Sequence, residues 1–461
     1  MTLHLYDTAT RKISEFKAIE PGKVGIYLCG ATVQAPPHIG HIRSGINFDI
    51  LRRWLIASGY EVTFIRNVTD IDDKILHNAI HEQIPWWALA QKYERVFTAA
   101  YAELNVLPPT YEPRATGHIT QMIELISRLI DRGKAYAVKN GANQDVYLDV
   151  RSLDAYLTLS GQKLDDLQST DGEESIKRNP QDFALWKGAK PGEPSWPTPW
   201  GSGRPGWHIE CSAMAQAYLG DRFDIHAGGL DLIFPHHENE IAQSHGAGYP
   251  FAQRWLHNAW VTTAGEKMSK SLGNTLRIYE LLKRVRGIEL RWYLGSAHYR
   301  SMLEYSPESL DESAVGFRRV ESFLKRAAGA LGKTPEISFS DEFAAAMNDD
   351  LAVPAALAVI SELVKDGNNA MTTKDLHTLD RKAAQVRGAL SILGCDPWDH
   401  AWGSGDAGLS EIVTGLVKTL LDEREEARAR KDFASADRIR DSITALGLSI
   451  EDTPDGPRWS K

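Results

Sequence analysis

The feature that most constrains this chain is a strand–turn–helix–strand unit near its start. Val24-Gly25-Ile26-Tyr27-Leu28-Cys29 is an apolar run of strand length, the pattern of a strand covered on both faces. Pro36-Pro37 then halts regular structure. From Ile42 onward Ile42, Ile46, Ile50, Trp54 and Leu55 recur at helical spacing, and Gly59 supplies a stop. Val62-Thr63-Phe64-Ile65 reads as a second strand. A βαβ unit joins parallel strands, so an α/β fold with a parallel sheet is expected. His38-Ile39-Gly40-His41 falls at the strand-to-helix turn, the end at which such sheets bind ligands.

Further along, Phe223-Asp224-Ile225-His226 and Trp255 to Val261 restore strand signals. What lies between reads as an insertion that splits one nucleotide-binding domain. It carries an amphipathic helix (Ile119, Met122, Ile123, Ile126, Leu129, Ile130). A polar stretch from Gln168 to Asn179 is expected to be mobile. Pro191, Pro194, Pro197, Pro199 and Pro205 predict a rigid, extended passage. After Gly273 the chain is mostly helical, with periodicity over 310–330, 342–364 and 374–393. Gly403-Ser404-Gly405 marks a flexible link. From Leu409 a charged helical hairpin runs to a strand-like end at Leu448-Ser449-Ile450.

With 461 residues, 43% of them apolar, the chain can bury several cores, and two to four domains are expected. Cys29, Cys211 and Cys395 are its three cysteines, too few for a disulfide scaffold and suited to a reducing compartment. No apolar run reaches membrane-spanning length, and Met1 to Asp7 lacks the pattern of a secretion signal, so the expected location is cytoplasmic. The formal charge of −9 does not favour nucleic acid, but local basic faces matter more than the total.

Two segments carry phosphate chemistry. Helix N-termini present free N–H groups and partial positive charge, and His38 and His41 are spaced to face one way there. Gly40 lets a flat group such as adenine approach the backbone. Taken alone, these are equally two surface histidines on a turn. Lys267-Met268-Ser269-Lys270-Ser271 lies between Gly265 and Gly273. Ammonium groups on a mobile loop can meet charge that builds on a leaving pyrophosphate. Taken alone, the segment is equally a solvated basic loop. A third constellation spans Cys29, Cys211 and Phe234-Pro235-His236-His237-Glu238-Asn239-Glu240. With Pro235 as the first residue of a helix, His236 and Glu240 share a face. Two thiolates, an imidazole and a carboxylate can hold zinc. The residues alone leave core cysteines as the competing reading, and His237 and Glu238 as competing ligands.

The first two segments resemble the HIGH and KMSKS signatures of class I aminoacyl-tRNA synthetases. Cys29-Gly30-Ala31-Thr32, Gly203 through Ser212 and Phe234 through Glu240 look like cysteinyl-tRNA synthetases. The resemblance implies ATP contacts from His38, Gly40, His41 and Lys270, with Lys267 and Lys270 as the lysines of the catalytic loop. It implies one Zn2+ per chain on Cys29, Cys211, His236 and Glu240, taking the substrate thiolate. Softness would separate cysteine from serine, where shape alone gives only ~10–200-fold for one methylene. Thr32, Thr69, Trp207, His226 and Asp231 match pocket positions for cysteine, with Asp231 suited to its ammonium. Core or loop-capping roles remain open for Trp207 and Asp231. ATP would arrive with Mg2+. The partners implied are L-cysteine, ATP and tRNA(Cys), with no membrane, in a chain that is usually monomeric.

The implied fold is α/β: a Rossmann-type parallel-sheet catalytic domain split by an insertion, then a helical bundle and a small anticodon-binding module. The expected boundaries are 1–118 and 203–274 for the catalytic halves and 119–202 for the insertion. A stem-contact junction at 275–308, the bundle at 309–400 and the C-terminal module at 401–461 complete the order. The ATP-dependent cysteine ligases of mycothiol biosynthesis share the first 300 or so residues of this pattern but lack the anticodon module. Here Arg428, Phe433, Asp437 and Asp452 match that module. Clustered cations neutralise phosphate and an aromatic ring stacks on an unpaired base. Phe433 stands where the family often has Trp. For the charge run alone, a salt-bridged helix is the competing reading. A catalytically dead paralogue would have lost one of the motif residues, and none is lost.

Overall fold

The computed structural model describes residues 2–167, 176–263, 266–267, 276–402, 407–446, 448–453 and 456–460. It separates into two units, 1–397 and 398–461. The first opens with an antiparallel hairpin of β1 (His4–Asp7) and β2 (Lys12–Glu15). The expected βαβ unit follows as β3 (Lys23–Leu28), α1 (Ile39–Ala57) and β4 (Glu61–Arg66). β3 and β4 run parallel, with Ile26 opposite Phe64. Ile26, Tyr27 and Leu28 are buried, as their unbroken apolar run requires. α1 ends at Ser58, and Gly59 takes a φ of +92°, which glycine adopts without strain.

α2 (Asp73–Glu82) and α3 (Trp86–Glu103) lead to α4 (Ile119–Asp131), which buries Met122, Leu125, Ile126 and Leu129. The rest of the insertion departs from the expected extended passage. β5 (Ala135–Asn140), β6 (Asn143–Leu148), β7 (Phe183–Gly188), β8 (Trp196–Thr198) and β9 (Gly201–Pro205) form a sheet in the order β5-β6-β7-β9-β8, antiparallel throughout. Its prolines sit where a missing N–H costs little: Pro197 on the edge strand β8 and Pro205 at the end of β9. Residues 168–175 of the polar stretch lie outside the described residues.

α5 (Trp207–Leu219) returns the chain to the parallel sheet at β10 (Arg222–Gly229). α6 (Glu238–Ala247) then leads to β11 (Phe251–Asn258). The strand order is β11-β10-β3-β4 and every neighbour is parallel. From β3 the chain first moves outward to β4 and later returns to β3's other side. Strand order therefore reverses between β3 and β10, and a crevice opens beyond their C-terminal ends. Beside it, β12 (Val261–Thr263) pairs with β13 (Glu266–Lys267). Past α7 (Ile278–Leu281) and α8 (Gly287–Gly295), β14 (Leu303–Glu304) adds to β12.

α9 (Pro307–Leu331) matches the periodicity over 310–330. The single helix expected over 342–364 is instead two, α10 (Asp341–Asn348) and α11 (Val353–Thr373). Between them Asp350 and Leu351 have φ of 51° and 54°. The Asp350 carboxylate holds the break by accepting bonds from Tyr6 N–H at 2.8 Å, Tyr299 Oη at 2.7 Å and Arg300 Nε at 2.8 Å. α12 (Leu376–Leu393) completes the bundle.

In the second unit α13 (Ala407–Ala429) and α14 (Phe433–Ala445) form the expected hairpin, with Val417, Leu421 and Ile443 as its core. β15 (Ser449–Thr453) pairs with β16 (Gly456–Ser460) as the strand-like end. Gly403, Ser404 and Gly405 lie outside the described residues. Among the described residues no helix is long and apolar enough to cross a membrane.

Candidate active site

His38 stands in extended conformation as the residue before α1, with φ −109° and ψ 168°. Its N–H donates to His41 Nδ1 at 3.3 Å, and the two rings stack with centroids 3.7 Å apart. A side chain on Gly40 would meet the His38 ring at 3.1 Å, so glycine leaves room for this stack as well as for a ligand. Ile39 N–H donates to Leu276 O at 3.0 Å, and His38 bridges to Arg277. The chain emerging from the basic segment is thus fastened to the start of α1. Lys270 lies outside the described residues. Lys267 ends β13, and its side chain is likewise outside the description.

A cavity of about 400 Å³ opens at the crevice. Its lining includes His38, Gly40 and His41, Cys29, Cys211 and His236, and Thr32, Thr69, Trp207 and Asp231. Thr32 and Thr69 bridge one another just beyond β3 and β4. The Trp207 ring stacks on His236 with centroids 4.3 Å apart. Asp231 accepts a bond from Trp260 Nε1 at 3.2 Å.

Cys29 follows β3, Cys211 lies on α5 and Glu240 on α6, so three elements bring the cluster together. Cys29 Sγ is 3.9 Å from Cys211 Sγ and 3.4 Å from Glu240 Oε1. His236 Nε2 is 3.2 Å from the same carboxylate oxygen. One donor atom from each of the four lies within 4.8 Å of the others. Pro235 is expected to open the helix, and the break in helical conformation falls at the residue before it. Phe234 is extended, with φ −136° and ψ 135°, and kinks the chain there; His237 is already helical, and α6 is regular from Glu238. His236 and Glu240, four residues apart, meet as the shared face requires.

His226 is placed differently from the expectation. It does not line the cavity but is wholly buried behind Glu240, with Nε2 2.9 Å from Oε2 and its ring stacked on Trp255. The reason is register: residue 226 lies inside β10, paired with Tyr27 and Trp255, whereas the crevice starts where the strand ends. Cys29, His226, His237 and Glu240 form a second donor set within the same 4.8 Å.

Several neighbours went unnoticed in the sequence. His208 pairs its Nδ1 with His236 Nδ1 at 3.0 Å, which leaves His236 Nε2 toward the cluster. His257 bonds His237 at 2.7 Å and Thr8 Oγ1 at 2.8 Å. Glu210 accepts from Thr69 Oγ1 at 3.0 Å. His208 and Glu210 flank Ile209 in the segment already singled out, a signal that was available; His257 had none. Burial raises the Cys29 and Cys211 thiols and the Glu210 carboxyl. It lowers His236 and His237 far below the usual imidazole range, and His208 and His257 to about 3. The imidazoles are therefore neutral and able to ligate, while the thiols must shed protons to do so.

In the second unit Phe433 is 62% exposed at the start of α14, one turn from Asp437. The local charges pair within their own helices: Arg428 with Glu425 at 3.6 Å and Arg440 with Asp437 at 3.3 Å. Such exposed pairs are weak and do not prevent their rearrangement on a ligand. Asp452 lies on β15, and its side chain is outside the description.

Comparison with known proteins places these features in a family. Residues 15–315 match the model of the tRNA synthetases class I (C) catalytic domain, 342–395 a DALR domain, and 413–459 the cysteinyl-tRNA ligase anticodon binding domain. The cysteine–tRNA ligase of Streptomyces avermitilis is 57% identical over 100% of this chain and 99% of its own. That of a Nocardioides species is 56% identical over 100% of both, and that of Streptomyces coelicolor 56% over 100% of this chain and 75% of its own. Among solved structures, Mycobacterium tuberculosis methionyl-tRNA synthetase in complex with methionyl-adenylate superimposes with a TM-score of 0.59 at 17% identity. It covers 80% of this chain and 89% of that one, a likeness of fold. On its class I catalytic fold, its cysteinyl-type C-terminal match and its full-length identity, the chain belongs to the cysteine–tRNA ligase family.

Proposed function

We propose that the chain activates L-cysteine with ATP to cysteinyl-adenylate and pyrophosphate, then transfers the cysteinyl group to the 3′ end of tRNA(Cys). The observation that carries this reading is one cavity lined both by a phosphate-type helix start and by residues of a thiol–imidazole–carboxylate cluster. In the first step a cysteine carboxylate oxygen attacks the α-phosphorus and the bond to pyrophosphate breaks. In the second a terminal ribose hydroxyl attacks the acyl carbon and AMP leaves.

His38 and His41 hold ATP phosphates at the start of α1, Gly40 admits the adenosine, and Lys267 and Lys270 meet the charge on departing pyrophosphate, with Mg2+ carried by ATP. Cys29, Cys211, His236 and Glu240 would hold Zn2+. The donor set suits it, and Cys211 and His236 line the cavity where substrate arrives, whereas His226 is buried behind Glu240. When bound, the metal supplies a soft acceptor for the substrate thiolate. Asp231, steadied by Trp260, pairs with the substrate ammonium. Thr32 and Thr69 orient the substrate, with Trp207 packing over His236. His226 acts through Glu240. The junction at 275–308 contacts the acceptor stem, and the module at 401–461 reads the anticodon through Arg428, Phe433, Asp437 and Asp452. The cytoplasm, where tRNA is charged, is the expected location.

Pyrophosphate exchange and tRNA charging in one preparation test the reading. Cysteine should support both. Exchange without charging of any tRNA, together with cysteine transfer to an amino sugar, would point to the mycothiol-type ligase instead.

A further inference from the structure

α5 carries, next to Cys211, a carboxylate that neither the phosphate nor the metal chemistry uses. Glu210 is wholly buried. Its Oε2 accepts from Thr69 Oγ1 at 3.0 Å, and among the described residues its Oε1 has no hydrogen-bond partner. A buried acceptor left unmet costs stability, and a side chain of the same length without polar atoms would avoid that cost. What only an acceptor at this position does is fix the Thr69 hydroxyl.

The rest of Thr69 is held just as closely. Its N–H donates to Ala31 O at 3.3 Å, and its carbonyl accepts from Val33 N–H at 3.2 Å. Its Oγ1 accepts from Asn67 Nδ2 at 3.3 Å, while Asn67 Oδ1 accepts from Gly30 N–H at 2.8 Å, which settles the orientation of that amide. Asn67 and Thr69 are buried, and Thr69 lines the cavity that Cys211, Trp207 and Asp231 also line. A hydroxyl has one proton to donate and two lone pairs. In Thr69 the proton goes to Glu210 and one lone pair to Asn67. The lone pair that remains suits an N–H of a ligand, and no proton is left for a ligand carboxylate.

We propose that Glu210 is a positioning residue for the amino group of the substrate: by taking the Thr69 proton it makes that hydroxyl a fixed acceptor for one ammonium N–H. This rests on the reading that cysteine occupies the cavity. An ammonium has three N–H groups, so Thr69 and Asp231 can share it. α5 then serves both ends of the amino acid, sulfur through Cys211 and nitrogen through Glu210 and Thr69.

The test compares cysteine with 3-mercaptopropionate, which keeps the thiol and carboxylate and lacks the ammonium. In zinc-loaded protein Glu210→Met should raise the cysteine KM in pyrophosphate exchange by about 10-fold, the effect of one hydrogen bond to a charged group. The ATP KM, zinc per chain and the inhibition constant of 3-mercaptopropionate should stay within about twofold of the parent, and the Tm should fall by no more than about 3 °C. Glu210→Gln, which keeps an acceptor oxygen, should hold the cysteine KM within about threefold. In a Thr69→Val background Glu210→Met should add less than about twofold, because the group it positions is gone. Glu210→Leu serves if the methionine variant does not fold. Equal losses of cysteine and 3-mercaptopropionate affinity, loss of zinc, or additive losses from Glu210→Met and Thr69→Val would overturn the positioning role while leaving cysteine activation intact. An unchanged cysteine KM in Thr69→Val would overturn it as well. Absence of cysteine-dependent exchange in the parent would instead remove the reading it rests on.

Discussion

Cys211 lies on the buried face of α5, with its sulfur 3.9 Å from that of Cys29. Serine there would keep the shape but hold its proton, and a hydroxyl is a poor zinc ligand beside a thiolate. Cys211→Ser should therefore bring zinc well below one per chain and raise the cysteine KM by more than about 10-fold. Metal analysis and exchange kinetics check both, and unchanged values would remove Cys211 from the site. Gly40 is a second sensitive residue. A methyl group there would press on the His38 ring at 3.1 Å and shift it by a few tenths of an ångström. Gly40→Ala should weaken exchange by roughly 10-fold with zinc unaltered. These residues were legible to different degrees. His38, Gly40 and His41 form one short segment whose helix-start context could be read directly. Cys29, Cys211, His236 and Glu240 are scattered over 211 positions, and only the packing of β3, α5 and α6 brings them together. His226 had the right residue type but the wrong depth, since β10 buries it behind Glu240.

At the scale of elements, β3, β4, β10 and β11 were readable because buried parallel strands are nearly continuous apolar runs. α9 and α12 were readable from their apolar period. The insertion's sheet was not, because its strands are short and interrupted by Pro197 and Pro205, which edge and terminal positions tolerate. The break between α10 and α11 was not either, since Asp350 is held by Tyr6, Tyr299 and Arg300 from distant parts of the chain. Packing of α5, α6 and β11 gives a further expectation. It buries His208 and His257 as neutral rings with pKa lowered to about 3 from an ordinary value of 6.5. An unfolded chain takes up those protons below pH 6.5 and the native one refuses them. Their contribution is thus fully present above pH 6.5 and is lost as pH falls toward 3. The Tm of metal-stripped protein should drop between pH 7.5 and 5, and His257→Gln should flatten that slope by about one proton. A Tm independent of pH in this window would contradict the burial of neutral imidazoles.

For the whole molecule, the parallel-sheet unit and the C-terminal hairpin each have their own core, the latter around Val417, Leu421 and Ile443. The described residues of the proposed adenylate site, His38, Gly40 and His41 among them, belong to the first. Ending the chain at Gly405 should leave pyrophosphate exchange within about threefold of the parent while tRNA charging falls by more than about 100-fold, as loss of base and phosphate contacts would cause. Equal loss of both would make the second unit a prop for the fold. The central claim is that one cavity joins adenylate chemistry to recognition of sulfur. Its most direct test is the ratio of kcat/KM for cysteine and serine in pyrophosphate exchange with zinc bound. The account predicts a preference far above the ~200-fold that shape can give, collapsing when zinc is removed. A ratio below that value, or one indifferent to zinc, would contradict it.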